Sequence, residues 1–484
     1  MRKSSINIIA LLCSLFMSAC VKLTEVPEGT LAPENFYKTE ADFNAATNAL
    51  YSPLYRTYGT FDWCSTLLLG GGADDVALIQ WDDSYARFDK LLPISSQIFI
   101  SSVWASFYAT INNASLLIKN VKTATGLSAD KLNEYEGQAR FMRAFSYYYL
   151  TRFWGKVPLV TEDNQSTPET LNEAEVADVY KLIIADLQIA EDKLAVSYAE
   201  KGKATKGAAK LLLADAYLTM TGWPLKDQSY YAKARDKAKE VIDMHVYELV
   251  PNIADLWLVA NKLTNKESVF AFYGSSRYSW EQGSHYHVET RPGVENGWAG
   301  VYGEVRFFNK FPEGPRKEAT YHTVFTDGST WEEDINKCPY IAKFRDAGAA
   351  AGQNTNVITT DGDGFIMPLR YADALLIYAE AANMADGTPG AAALDAINQV
   401  RVRAGLKPLE AGLSKEQFDN AVFDERGWEF AFECASRWFD LVRKEKVVDI
   451  NKELYPYVDK HNQLLPKPAK ELDLIKGLHQ NDGY

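Results

Sequence analysis

Apolar residues recur at steps of three and four along most of this chain, the period at which one face of an α-helix returns to a core. Within Ser101 to Val121, the residues Val103, Phe107, Ile111, Ala114 and Ile118 fall on one such stripe, and residues 40 to 56 carry another. Four more helices are predicted in close succession between 130 and 244, over EYEGQARFMRAFSYYYLTRFW, EVADVYKLIIADLQIAEDKL, TKGAAKLLLADAYLTM and SYYAKARDKAKEVIDM. Helical period returns at Leu369 to Met384, Ala391 to Arg403 and Lys415 to Val442. The tail beyond, with Pro456, Pro466 and Pro468, reads as irregular, because proline can neither donate nor continue a helix.

Two stretches break this rhythm. Tyr58 to Ile100 is rich in glycine, aspartate and aromatics without a sustained period, and 251 to 365 is dense in Gly, Trp, Tyr, Asn and Ser with short strand-like runs such as Ser268 to Tyr273. Both read as long excursions from a helical scaffold. Within the scaffold, Ala214 and Tyr217 precede Ala234, Ala238 and Val241, and Ala381 and Met384 precede Ala393, Ile397 and Val400. Small residues at those steps let two antiparallel helices approach closely, as in 34-residue tetratricopeptide repeats. The expected fold is therefore mainly α, a tetratricopeptide-like set of helical pairs with large irregular loops and minor β structure.

The first residues have a different character. Arg2 and Lys3 precede an apolar run from Ile6 to Met17, the layout of a secretion signal. That run is shorter than the about 20 residues needed to span a bilayer as a helix. Ser18 and Ala19 directly before Cys20 resemble a bacterial lipobox, which predicts removal of residues 1–19 and acylation of Cys20. Residues 20–32, with Pro27 and Gly29 and no apolar period, read as a tether, and 33–484 as a single domain.

Charge narrows the partners. The formal net charge is −13, and loss of Arg2 and Lys3 takes it from −13 to −15. Such a surface repels phosphate backbones and anionic lipid headgroups, so no nucleic acid is expected as a partner. Of five cysteines, Cys13 leaves with the signal and Cys20 is acylated, and the remaining Cys64, Cys338 and Cys434 form no disulfide or metal pattern.

Candidate chemistry is sparse. None of the six histidines stands in a metal-binding spacing, and His285 and His287 lack a third ligand at recognisable distance. Gly70-Gly71-Gly72 has no following lysine and is no phosphate loop. Asp361-Gly362-Asp363-Gly364 lacks the rest of a calcium loop and reads as a turn. No metal, cofactor or catalytic residue is assigned.

Six stretches, in order, resemble the SusD/RagB family: NFYKTEADFNAATNALY (35–51), RFMRAFSYYYLTRFWGKVPLV (140–160), PLRYADALLIYAEAAN (368–383), INQVRVRAGL (397–406), RWFDLVR (437–443) and the closing LLPKPAKELDLIKGLHQNDGY. DERGWEFAFECAS departs from the basic run usual before RWFDLVR, and Asp482 stands where proline is common. Arg143, Tyr371, Glu380, Arg401, Trp438 and Arg443 within these motifs read as helix-locking rather than ligand-binding residues. The resemblance implies an outer-membrane lipoprotein facing the exterior, which binds glycan through its variable loops and docks on a SusC-like TonB-dependent barrel transporter. A peptide- or other nutrient-binding lipoprotein on the same scaffold is the alternative, and a surface glycoside hydrolase a weaker one.

Aromatic rings stack on the C–H faces of sugars while carboxylates and amides meet hydroxyls. On that ground Trp81, Tyr85, Trp280, Trp298 and Tyr302 are the stacking candidates in the two excursions, with Asp74, Asp75, Asp82 and Asn296 as hydroxyl partners. The amino-terminal reading is directly testable. Replacing Cys20 with Ala should move the protein from the membrane to the soluble fraction of lysed cells, and retention in the membrane would refute acylation there.

Overall fold

The structure is a computed structural model and describes residues 36–55, 61, 70–165, 167, 170–275, 285–345 and 363–484. Cys20 with its tether, Cys64, Trp280 and Asp361-Gly362 lie outside the described residues.

The scaffold and its loop edge are carried by helices α1 (Glu40–Asn48), α2 (Asp83–Asp89), α3 (Ile98–Val121), α4 (Ala129–Trp154), α5 (Val176–Lys193), α6 (Lys206–Met220), α7 (Tyr230–Asp243), α8 (Tyr371–Asp386), α9 (Ala391–Arg403), α10 (Lys415–Glu429) and α11 (Ser436–Arg443). Their starts follow from local chemistry. Thr39 and Ser414 form capping boxes with Asp42 and Gln417, and the hydroxyls of Ser128 and Thr205 accept from the amides of Lys131 and Ala208. Each satisfies amides that the first helical turn leaves unpaired.

From α3 to α9 every helix packs on the next in sequence, including α7 on α8 across the long second excursion. That stacking of antiparallel pairs is the tetratricopeptide-like arrangement expected. The small residues explain the close approach: Ala214, Ala234, Ala238, Ala381 and Ala393 are all buried at the helix seams. At the centre of the stack, α4 is buried nearly all round, with Phe141, Phe145, Tyr149 and Phe153 on one side. At about 1.5–3 kcal/mol for burying each large apolar side chain, this helix is the main hydrophobic contributor to the scaffold.

Two helices end sooner than their pattern predicts. The stretch 40–56 divides into α1 and a single turn at Ser52–Tyr55, since Pro53 has no amide to carry the ladder onward. The stretch Lys415 to Val442 divides at Phe432, Cys434 and Ala435, whose φ values of 66°, 49° and 58° are left-handed. The break turns Glu433 inward.

There it joins a buried ionic cluster. Arg370, which caps α8, gives its guanidinium to Glu267 (2.7 Å), Glu429 (2.7 Å) and Glu433 (2.8 Å). Arg403 pairs with Glu267 and Glu429, Arg316 with Glu425 and Glu429, and Lys343 with Glu433. A second cluster ties Arg443 of α11 to Glu380 of α8 and to Asp440, and Arg143 of α4 holds Asp186 of α5. The motif arginines are thus structural, as their helical positions suggested.

Strands are few. β1 (Val76–Leu78), β2 (Ser268–Tyr273), β3 (Val301–Gly303) and β4 (Phe365–Arg370) form two antiparallel ladders, β1 with β3 and β2 with β4. β2 and β4 close the base of the second excursion, and β1 with β3 joins the two excursions to each other.

Removing one member of a buried ion cluster leaves its partners desolvated and uncompensated, at a cost of about 3–5 kcal/mol. Arg370→Met should therefore lower the melting temperature markedly, as read by differential scanning calorimetry. An unchanged transition would show that the three glutamates find other partners.

Candidate functional site

The β1–β3 ladder sets the geometry of the loop edge. Leu78 faces Val301, and the Ile79 amide donates to the Gly300 carbonyl at 3.0 Å. Beyond that bond the strands part, the amides of Gly300, Ala299 and Trp298 turning to the carbonyls of Glu289, Arg291 and Val288; Trp81 follows β1 and Trp298 precedes β3, so the two tryptophans leave the same end of the ladder from opposite strands. They come from excursions more than two hundred residues apart in sequence.

Trp81 is 80% exposed and Trp298 38%. Neither exposure is accidental looseness. Trp81 is held between the ladder and α2, whose N-cap is Asp82, its carboxylate accepting from the Ser84 amide at 2.8 Å. Trp298 stacks one face on the buried His285 ring (centroids 6.0 Å apart, 25° between planes), and its amide donates to the Val288 carbonyl at 2.7 Å. Asn296, also exposed, sits in the left-handed conformation (φ 60°, ψ 29°) at the end of a short 3-10 turn. Asparagine tolerates that conformation better than most residues.

Beneath this edge the polar groups are spent on structure. The Glu289 carboxylate accepts the Tyr85 hydroxyl at 2.7 Å and lies against Gly300, where any side chain would strike it. Glycine there is a packing requirement.

Several sequence-predicted residues take different roles. Tyr85 and Tyr302 are 8% and 3% exposed and pack into the core, Tyr85 edge-on to Phe99 and Tyr302 edge-on to Tyr340, so neither offers a ring face for stacking. Their aromatic character serves the loop anchors. Asp74 is not free for a hydroxyl: it takes the Arg437 guanidinium through two bonds of 2.7 and 2.9 Å. Asp75 is buried and accepts the Phe432 amide at 2.9 Å. Asp82 is committed as a helix cap. Trp81, Trp298 and Asn296 remain at the surface, and Trp280 lies outside the described residues.

The chain also holds a cleft that sequence reasoning missed, about 540 Å³ in volume, between the loop at 196–205 and strand β2. Its lining comes from three separate segments with no shared motif. Among the described residues no group of three or more His, Cys, Asp or Glu could hold a metal ion, and no helix is long and apolar enough to cross a membrane.

The architecture is that of a helical-repeat protein whose two long insertions meet at one exposed aromatic edge. Residues 309–484 match the SusD family model, and residues 71–218 match one described as "Starch-binding associating with outer membrane". The chain is 28% identical to "SusD-like protein P2" of Formosa agariphila over the whole of both chains, and 24% identical to "Starch-binding protein SusD" of Bacteroides thetaiotaomicron over 74% of each. Among solved structures it resembles a SusD superfamily protein from Parabacteroides distasonis (TM-score 0.78, 27% identity, covering 94% of this chain and all of that one). It also shares the fold of a structure described as "Laminarin binding SusD-like protein" (TM-score 0.76, 24% identity, 93% and 100% covered). The chain belongs to the SusD/RagB family.

Asp75 yields a pH-dependent outcome. Burial first, then the neighbouring Asp74 charge, pushes its carboxyl up to about 7 against the pull of the Phe432 amide and Arg437. An unfolded aspartate titrates near about 4, so folding takes up a proton between about pH 4 and pH 7. Stability then falls as pH rises through that window and levels off above it. Asp75→Asn keeps an acceptor for Phe432 without the charge. Its melting temperature should exceed that of the parent by a wider margin at about pH 8 than at about pH 4; a margin independent of pH would contradict a buried titrating carboxyl.

Proposed function

We propose that this protein is an outer-membrane lipoprotein, facing the exterior through the Cys20 anchor, that binds oligosaccharide or polysaccharide. It passes the glycan to a SusC-like TonB-dependent transporter and does not cleave it. The observation that carries the reading is Trp81, a large ring at 80% exposure, with Trp298 leaving the same end of the β1–β3 ladder. Exposed apolar surface gathered at one place marks a binding site more often than singly scattered residues do, and a sugar C–H face is a surface that exposed rings fit. The starch-binding relative and the description of the amino-terminal family model point the same way.

The scaffold supports the orientation this requires. Helix α3 has 24 residues, about 36 Å at 1.5 Å per residue. Gln97, just before its start, donates to the Ser84 carbonyl next to the tryptophan edge. Further along the helix, Asn113 donates to the Ala49 carbonyl, and past its end Lys131 of α4 pairs with Glu40 of α1. The amino-terminal side of the globule and the aromatic edge therefore lie toward opposite ends of the longest helices. A tethered binder with no membrane-crossing helix among its described residues needs a separate conduit, and co-purification of a barrel from detergent-solubilised membranes checks for it.

Stacking on a ring is worth on the order of 1 kcal/mol, so Trp81→Ala and Trp298→Ala should each weaken binding several-fold without unfolding the protein. Trp280→Ala tests the third tryptophan in the same way. Isothermal calorimetry with whichever glycan binds the parent measures the effect, and release of reducing ends during the titration would favour the hydrolase instead. Unchanged affinity in all three folded variants would refute the site.

A further inference from the structure

The 540 Å³ cleft lies far from the tryptophans, near the α1 end of α3 and α4. Lys203 on its lip reaches Glu134 in the second turn of α4 (2.9 Å), and Glu134 shares Lys131 with Glu40 of α1. The cleft has the size of a small-molecule site and is open to solvent. Its chemistry narrows what it can hold.

Most of the charges are already matched. Lys203 pairs with Glu134 and Glu200, and Lys266 with Glu248 at 3.0 Å; among the described residues Lys201, exposed on the lip, is the one charged lining residue outside an ion pair, and a single solvated ammonium is a weak pull on an anion. The rim is aliphatic, with Val196, Val246 and Leu263 exposed, although the core does not need them there. The walls are aromatic and hydroxylic. The Tyr198 hydroxyl accepts the Ala195 amide at 3.0 Å, which fixes the half-buried ring in place, and Tyr247 is held through Thr205 at 3.0 Å. A neutral ligand that carries apolar faces and many hydroxyls fits this surface better than an anion, a metal or a purely apolar group.

We infer that this cleft is a second saccharide subsite, which grips another stretch of the glycan held at the tryptophan edge. The inference rests on the glycan-binding reading above. Two weak sites on one body bind a polymer more tightly than either alone, because the second contact is intramolecular. A short ligand cannot reach both.

Calorimetry on the full folded domain separates the possibilities, using a neutral trisaccharide chosen for binding from a panel, together with its parent polysaccharide. The parent protein should titrate two trisaccharides, and the Trp81→Ala/Trp298→Ala double variant one. Tyr198→Ala or Leu263→Ser should remove the site that the double variant retains, while leaving the tryptophan site intact and weakening polysaccharide binding about tenfold or more. A single trisaccharide site, abolished by the tryptophan double variant, would overturn the second subsite and leave the glycan reading standing. A residual site indifferent to both cleft variants would place it elsewhere and also overturn the inference. No saccharide binding by the parent protein would remove both proposals together.

Discussion

Burying the Arg370 guanidinium with Glu267, Glu429 and Glu433 is the constraint on which the rest of the molecule hangs. Each of these charges has left water, at a desolvation cost of several kcal/mol that only tight, multiple pairing offsets. The pairing is nearly complete. Arg370 also donates to the Glu429 carbonyl, Lys343 donates to the same carbonyl at 3.0 Å, and Arg403 and Arg316 share the Glu429 carboxylate. Burial pulls the Lys343 ammonium below its usual value against the attraction of Glu433. Such a cluster can form only if every contributor arrives. Those contributors are the residue before β2, the cap of α8, the end of α9, two turns of α10, the broken linker before α11, and two points in the second excursion. A hydrophobic core would accept many arrangements of these elements, whereas directional charge pairs accept few.

The same carboxy-terminal segment also collects the first excursion. Asp74 binds Arg437 and Asp75 binds the Phe432 amide, so residues 425–437 hold both loops from beneath. The β1–β3 ladder then fixes the register of one loop against the other, and register decides which side chains emerge at its end. The exposed tryptophans are thus positioned by contacts far from them, a route by which a variable loop can change its outward residues without disturbing its foundations.

Much of the scaffold was legible in the sequence because helical periodicity is local. The bounds of α5, α6, α7 and α9 follow the apolar stripe to within a residue, and the alanines at the α6–α7 and α8–α9 seams announced close pairs. The division of 415–442 was not legible, since its cause is Glu433 seeking Arg370 and Lys343 from elsewhere in the chain. The stretch DERGWEFAFECAS, which looked like a departure from the family pattern, supplies Glu425, Arg426, Glu429 and Glu433 to the interior. The aromatic candidates divided for a similar reason. Nothing local distinguishes Tyr85 or Tyr302, which face inward from the joined loops, from Trp81 and Trp298, which emerge at the end of the ladder. The aspartates misled because Asp74 and Asp75 meet partners more than three hundred residues away.

The consumption of charge by structure bears on what the surface can do. Near the aromatic edge Asp74 is held by Arg437, Asp82 caps α2, and Glu289 accepts from Tyr85 under Gly300. A general acid or nucleophile needs a carboxyl presented to substrate with its protonation tuned for the task. Asp75, whose carboxyl is raised to about 7, is buried against Phe432 rather than presented. What the edge presents besides Asp83, which is exposed and paired with Arg87, is ring surface and an amide, Trp81, Trp298 and Asn296, groups that gain free energy by contact. Each such contact is individually weak. A surface of this kind gains affinity through the number of simultaneous contacts a long ligand can make, and loops already anchored through Asp74, Asp75 and the β1–β3 ladder leave less of that gain to be lost in ordering the protein.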